Sequence, residues 1–291
     1  KRLLLIIPTL FGIMVINFAI IQIVPGGPVE QMIAQMTGTA VESTARFSGG
    51  GEGETLEFNR DNSTSVNDSK YRGAQGLDPD IIKEIHKSYI NSGSKIIETN
   101  TFGATSIAQS DYKLEHLVEK MNIESVKVAK DAIDESDSDI DKSKIFIAGA
   151  MGPTNRTASI SPDVEDPGKR NITFDELVNA YYIQAKSLLV GGVDIFLPET
   201  TFDTLNLKAA LFALENLFEE VGERFPVFIS VTFSDKSGRT LSGQTIRAFW
   251  ESIRHANPYS VGMNCGLGAD SLIGYVKELK NYANCKVRSE E

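Results

Sequence analysis

The sequence is poor in cysteine and histidine, which form disulfides and bind transition metals. It contains only two cysteines, Cys265 and Cys285, and three histidines in 291 residues. Two cysteines do not build a disulfide framework. His86, His116 and His255 lie in helical patterns without the H-x-x-x-H spacing of a metal site, so we expect surface or packing roles for them. Cys285 precedes a short apolar stretch and is expected in the core.

Positive charge is also scarce. The chain has 29 Lys and Arg against 39 Asp and Glu, which gives a net charge of -10. Nucleic-acid binding draws on clustered Lys and Arg side chains that neutralise phosphates. Nucleic acid is therefore not expected as a main partner.

Charge is absent from residues 3–24, a run that is long enough for a membrane span. Lys1 and Arg2 precede this run, so the positive-inside rule predicts an inner-membrane helix with its N-terminus in the cytoplasm. A signal peptide is the competing interpretation, but its apolar core is usually about 7–15 residues long. The sequence V-P-G-G-P directly after the run is also a poor cleavage site. A buried globular helix is the third alternative.

Hydrophobic periodicity is missing from residues 25–79, which are rich in Gly, Ser, Asn and acidic residues. That composition predicts a flexible linker or loop. The glycine-rich run at 49–53 is not a phosphate-binding loop, because no G-K-[ST] ending comes after it. The weakly alternating stretch 54–58 is the one strand candidate in this segment.

Regular alternation of strands and helices begins near residue 80 and continues to the end of the chain, 80–291. This alternation predicts an α/β fold with a parallel sheet covered by helices. A doubly wound sheet and a (β/α)8 barrel both fit, although the absence of G-x-G-x-x-G weakens the first. The predicted strands are 95–99, 144–149, 193–199, 227–232 and 260–264, with a last stub at 285–287; the predicted helices are 81–92, 116–135, 173–190, 205–221, 245–255 and 271–282.

Polar residues gather where the predicted strands end. In a barrel these carboxyl ends meet at one rim, which carries the chemistry. An alternative is that Glu and Asn cap the following helices and that Cys265 is a small buried residue. The set as a whole favours a site: Glu98 and Asn100, Glu199, Thr200 and Asp203, Asn264 and Cys265, with the loops 152–159 and 239–245.

The same stretches carry a family resemblance. The sequences IIETNTFGATSIAQSDY, GAMGPTNRTASISPDVEDPGKRNITFDELVNAY, ETTFDTLNLKAA, SGRTLSGQT and GMNCGLG are similar to the homocysteine-binding domain of cobalamin-dependent methionine synthase, over about 80–287. The resemblance implies a (β/α)8 TIM barrel and homocysteine S-methyltransferase activity. It implies that zinc binds the homocysteine thiolate, which attacks a methyl group on a cobalamin carried by a separate module. Nothing in this chain resembles that module.

The resemblance also assigns site residues. It implies that Cys265 is the first of three zinc-binding cysteines and that Glu199 holds the homocysteine amino group. The resemblance also implies that the open end (mouth) of the barrel, where homocysteine binds, is lined by Asn100, Asn155 and Asn264.

The sequence departs from the family pattern at both ends. The second and third zinc cysteines form an adjacent pair near the eighth strand, which we expect to lie beyond Glu291, and Cys285 does not match them. The family's first strand should precede residue 80, where we predict linker instead. We therefore expect an incomplete barrel with six strands of eight, an incomplete zinc site and no methyl transfer by this chain.

The N-terminal part of the chain resembles a different family. Residues 1–85 resemble the start of a microcin C type peptide ABC transporter permease. A membrane span at 3–24 would place the later residues in the periplasm, whereas a homocysteine methyltransferase is expected in the cytoplasm. One hypothesis is that the chain is a chimera of two gene fragments; the alternatives are an enzyme fragment and a transport component.

Overall fold

The computed structural model describes residues 12–14, 78–233 and 236–289. The predicted membrane span at 3–24 and linker at 25–79 therefore lie almost wholly outside the described residues; residues 12–14 are helical. Within the described ranges, no helix has the length and apolar character that a membrane crossing requires. Contacts divide the chain into two units, Lys1–Ile81 and Ile82–Glu291, and the second contains the sheet.

Six strands and six longer helices alternate along the described part of the chain. Single helical turns at Ser106–Gln109, Ser110–Tyr112 and Glu115–Leu117 come after the first strand. The order is α1 (Pro79–Asn91), β1 (Ile96–Glu98), α2 (Val118–Asp134), β2 (Phe146–Met151), α3 (Phe174–Gly191), β3 (Ile195–Pro198), α4 (Thr204–Val221), β4 (Phe228–Val231), α5 (Ile246–Ile253), β5 (Ser260–Met263), α6 (Ala269–Tyr282) and β6 (Lys286–Ser289).

The strands are parallel and are arranged in sequence order. Strands β1, β2 and β3 form one three-stranded ladder, and β4, β5 and β6 form another. Parallel bridges at Phe196–Val227 and Thr201–Val231 join the two ladders. A doubly wound sheet would reverse direction at a switch point, so this order is that of a (β/α) barrel. The sequence prediction of six strands is confirmed for the described residues.

Helix ends are set by local chemistry. Thr173 and Glu176 form a capping box at the start of α3, and Gly192 ends that helix with a φ of 90°. Asp203 caps α4 by accepting from the backbone N–H groups of Leu205 and Asn206. Such caps satisfy backbone donors that would otherwise have no partner at a helix end.

The core has two sides because successive strand residues point to opposite faces. Phe196, Ile229 and Val261 belong to the large cluster between the sheet and the helices. A separate small cluster on the other face contains Ala148, Ile195, Leu197 and Phe228. The sheet is thus apolar on both faces, as parallel sheets are.

Several element bounds differ from the sequence prediction. The first strand is shorter than 95–99, and the second helix begins at Val118 rather than 116. Lys113 adopts a φ of 60°, a left-handed conformation that breaks the chain into short turns before that helix. The last strand runs to Ser289, so the stub predicted at 285–287 is displaced and Cys285 precedes it.

The buried histidine of α1 makes stability depend on pH. His86 is 7% exposed and its Nε2 atom has no hydrogen-bond partner among the described residues. Burial lowers the pKa of His86, because the charged imidazolium is poorly solvated there. The unfolded chain then binds more protons than the folded chain as the pH falls through the unfolded pKa of about 6.5, so stability is lost on acidification.

We expect the urea midpoint of the chain to fall between pH 7.5 and pH 5.5, and His86→Gln to reduce this pH dependence. His255→Gln is the matched control, since His255 is exposed. An unchanged pH slope in the His86 variant would contradict the assignment.

Candidate functional site

The rim formed by the carboxyl ends of β3, β4 and β5 brings together three of the residues singled out in the sequence. Glu199 lies directly after β3, and Asn264 and Cys265 lie directly after β5. The Glu199 N–H donates to the Met151 carbonyl at 3.1 Å, which extends the pairing of β3 with β2 to the rim. Cys265 is exposed there, while Asn264 is 9% exposed.

The side chain of Asn264 links β4 to the segment after β3. Its Oδ1 accepts from the Ser230 hydroxyl at 3.1 Å, and its Nδ2 donates to Thr200 Oγ1 at 2.6 Å. The Ser230 hydroxyl also accepts from the Thr200 N–H at 3.2 Å. Because Ser230 is fully buried, water does not compete for its bond to Asn264, while the two bonds to Thr200 are part-buried. The three residues form a closed hydrogen-bonded triangle, which we call the rim triangle (Thr200, Ser230, Asn264).

Two residues at this rim have left-handed backbones. Thr200 has a φ of 54° and Cys265 a φ of 43°. This region is unfavourable for a non-glycine residue, and most so for a β-branched one, at a cost of about 1–3 kcal/mol each. The hydrogen bonds of the rim triangle act on Thr200 directly and offset its strain. They also fix Thr200, which follows Glu199, relative to Asn264, which precedes Cys265, across the intervening strand β4.

A small-residue turn presents the Cys265 thiol. The Sγ atom lies 3.3 Å from the Thr232 hydroxyl. Gly266 is next along the chain with a φ of 75°, and a Cβ atom at this position would lie 2.3 Å from the Phe233 carbonyl oxygen. Only glycine fits such a close approach of two backbones. The turn after β5 is therefore packed directly onto the end of β4.

Asn100 and Asn155 lie on the other side of the rim. Asn100 is exposed between Thr99 and Thr101, whose hydroxyls bond each other at 2.7 Å. The Asn155 amide donates to the Asp111 carboxylate and so ties the loop after β2 to the segment after β1. Neither asparagine takes part in the rim triangle.

The loop after β2 is anchored by the start of α4. Asp203 accepts from the backbone N–H and the hydroxyl of Ser159, at 3.1 and 2.6 Å. Asn206 accepts from the Ala158 N–H at 2.9 Å. Asp203 therefore has the capping role that the alternative interpretation gave to Glu and Asn, and it also fixes this loop.

A narrow cleft opens at the ends of β2 and β3. Glu199 lines it together with Gly152, Pro153 and Tyr181. The Tyr181 hydroxyl donates to the Gly152 carbonyl at 3.2 Å, and burial raises the pKa of Tyr181, so the phenol stays neutral. The lining carries two carboxylates, those of Glu199 and Asp203, so the cleft is acidic, and its free volume of about 10 Å³ is that of a single water molecule.

Cys265 has no second thiol nearby. Cys285 precedes β6, and the register pairs Ser260 with Lys286 at the opposite end of the sheet. At about 3.3 Å per residue the two cysteines are roughly 15 Å apart or more. Cys285 packs against the core, where burial raises the pKa of its thiol. In the part of the chain that the structure describes, no three His, Cys, Asp or Glu side chains converge on a possible metal position.

Sequence reasoning missed Ser230 and Thr232, and named Thr200 without a role. A signal for Ser230 exists in the sequence, since it is the polar residue within the apolar run F-I-S-V. Its pairing with Asn264 spans 34 residues. Sequence periodicity does not reveal which residues meet at that separation.

A profile of the family described as homocysteine S-methyltransferase matches residues 48–289. The chain belongs to the homocysteine S-methyltransferase family. The match starts at 48 rather than near 80, so it extends into the segment for which the sequence predicted a linker. The resemblance of residues 1–85 to an ABC transporter permease, and with it the idea of a chimera, has no support from these comparisons.

Solved structures show the same fold. The metallated form of the homocysteine methyltransferase MmuM from Escherichia coli superposes with a TM-score of 0.58 at 19% identity, over 72% of this chain and 71% of that one. Its oxidized form gives 0.58 at 18% identity, over 73% and 72%. Its apo form gives 0.54 at 16% identity, over 72% and 70%.

The rim triangle generates a stability prediction. Ser230→Ala removes the donor to Asn264 and the acceptor of the Thr200 N–H, which leaves one buried and one part-buried polar group without these partners. We expect a loss of about 1–3 kcal/mol in the free energy of unfolding, measured by urea titration. Ser92→Ala is the control: this exposed hydroxyl donates to the Ser88 carbonyl, and its removal should cost far less. Equal effects of the two substitutions would refute the role of the triangle.

Proposed function

We propose that this chain binds homocysteine at the rim of β3 and β5 and that its reaction class is S-methyl transfer. The family membership supports the class, and the rim triangle supports the position of the site. Asn264 contacts Thr200 directly, so the segment with Glu199 and the turn with Cys265 are fixed relative to each other.

In this proposal Glu199 binds the amino group of homocysteine. A carboxylate that accepts from an ammonium group makes a charge-assisted hydrogen bond, which is stronger than a neutral one. Glu199 lines the cleft at the ends of β2 and β3, so its carboxylate is available there. The thiol of the substrate is proposed to point toward Cys265. Asn100 and Asn155 are proposed to line the outer part of the mouth.

The described residues do not fit a complete zinc site. A coordinated thiol loses its proton, so zinc would supply a homocysteine thiolate at neutral pH. A catalytic zinc usually has three protein ligands, and among the described residues no three His, Cys, Asp or Glu side chains converge on one position. A related enzyme, MmuM, has been solved in a metallated form. We propose Cys265 as one ligand, and we propose that this chain by itself does not transfer methyl groups.

The methyl donor is proposed on the sequence resemblance alone. The similarity to cobalamin-dependent methionine synthase favours a cobalamin-borne methyl group held by a separate module. Such a cofactor would supply the methyl group, and the residues proposed here, Glu199 and Cys265, would hold the homocysteine that accepts it.

Substrate binding tests the role of Glu199. Glu199→Gln should weaken homocysteine binding about tenfold or more in calorimetry, because a charge-assisted bond is lost. Binding of 4-mercaptobutanoate, which lacks the amino group, should be the same in the variant and the parent chain. Glu219→Gln, on an exposed position of α4, is the control for net charge. A variant that binds both ligands as the parent does would remove Glu199 from the site.

Metal content tests the incomplete site. We expect the purified chain to contain far less than one zinc per chain by mass spectrometry, with no methyl transfer from methylcobalamin to homocysteine. Cys265→Ser should not change either result. One zinc per chain that disappears in Cys265→Ser would show that further ligands complete the site.

A further inference from the structure

A groove lies beside α4 and includes no residue of the rim triangle. Its volume is about 570 Å³, within the usual range of small-molecule sites. One wall is a single face of α4, and the opposite wall is the turn Arg254–Ala256 after the short helix α5. The lining residues are Phe174, Lys208, Leu211, Phe212, Glu215, Arg224, His255, Ala256 and Asn257.

Apolar side chains form much of the groove. Leu211 and Ala256 are 3% and 5% exposed, whereas Phe212 is 53% exposed. The Phe212 ring lies 6.2 Å from the ring of Phe174, in a tilted aromatic pair. An aromatic side chain that is half exposed beside a concave apolar surface is suited to contact the hydrocarbon part of a ligand.

A fixed ion pair closes one end of the groove. The Arg224 guanidinium donates to Glu215 Oε2 at 2.6 Å and to the Ala256 carbonyl at 2.6 Å. It also lies 5.4 Å from the Phe218 ring. The negative charge of Glu215 is therefore already compensated. Arg224 joins α4 to the turn after α5 and holds the two walls at a defined separation.

Lys208 is left as an uncompensated cation. Its side chain is half-buried, and within the described residues it makes no hydrogen bond or ion pair. His255 lies on the same groove. With Glu215 paired to Arg224, Lys208 gives the groove lining one net positive charge in a chain whose net charge is -10. A partly desolvated ammonium beside an apolar surface gains most from an anionic partner.

We propose that this groove binds a small amphipathic carboxylate. The hydrocarbon body lies against Phe212, Leu211 and Phe174, and the carboxylate pairs with Lys208. This site is independent of the homocysteine site, since it shares no residue with the rim triangle.

Calorimetry with three eight-carbon probes tests the proposal on the full chain. Octanoate should bind, whereas octylammonium and octanol should bind at least about tenfold more weakly, because they lack the charge-assisted bond to Lys208. Equal affinity for octanoate and octylammonium, or no octanoate binding, would overturn the proposal.

Variants identify the position of the bound probe. Lys208→Ala should weaken octanoate binding about tenfold, Lys208→Arg should preserve it, and Phe212→Ser should weaken it for all three probes. Lys280→Ala is the matched control, because Lys280 is exposed on α6 and outside the groove. If Lys208→Ala and Lys280→Ala behave alike while their unfolding curves match the parent, the groove is not the binding site.

Discussion

The hydrogen bonds of the Asn264 side chain are the constraint on which the geometry of the rim depends. Asn264 bonds Ser230 within the sheet and Thr200 beyond it. Both Thr200 and Cys265 have left-handed backbones that would relax without such support. These bonds offset the strain at Thr200 and fix the segment with Glu199 relative to the turn with Cys265, on the ends of β3 and β5 with β4 between them. The order of the sheet, with β3 next to β4 and β4 next to β5, is what brings these residues together.

The fold itself was largely accessible from the sequence. Apolar runs such as Val193–Pro198 and the intervening amphipathic stretches predict a parallel sheet, and the six strands occur where these runs are. Strand and helix ends were less accurate, because Lys113 and the helical turns around it depend on local backbone conformation rather than on periodicity. The start of the family match at residue 48 was also missed, since the composition of that segment resembles a linker.

The site was accessible in part. Position at a strand end was enough to predict that Glu199, Asn264 and Cys265 lie at the same rim, and their roles in binding stay a prediction. Ser230 was not recognised, because its function arises from a contact with a residue 34 positions away. The contact of Asn155 with Asp111, 44 residues away, was likewise not predicted; it holds two loops together at the rim. The groove along α4 was equally hidden, since Lys208 and Phe212 have the pattern of ordinary residues in an amphipathic helix.

A crystal structure of the chain with homocysteine tests the central claim most directly. We predict the amino group of the ligand within hydrogen-bond distance of the Glu199 carboxylate and its sulfur on the Cys265 side of the rim, with the Asn264–Thr200 bond retained. Homocysteine bound elsewhere, or a rim in which Asn264 has left Thr200 and Ser230, would contradict this claim.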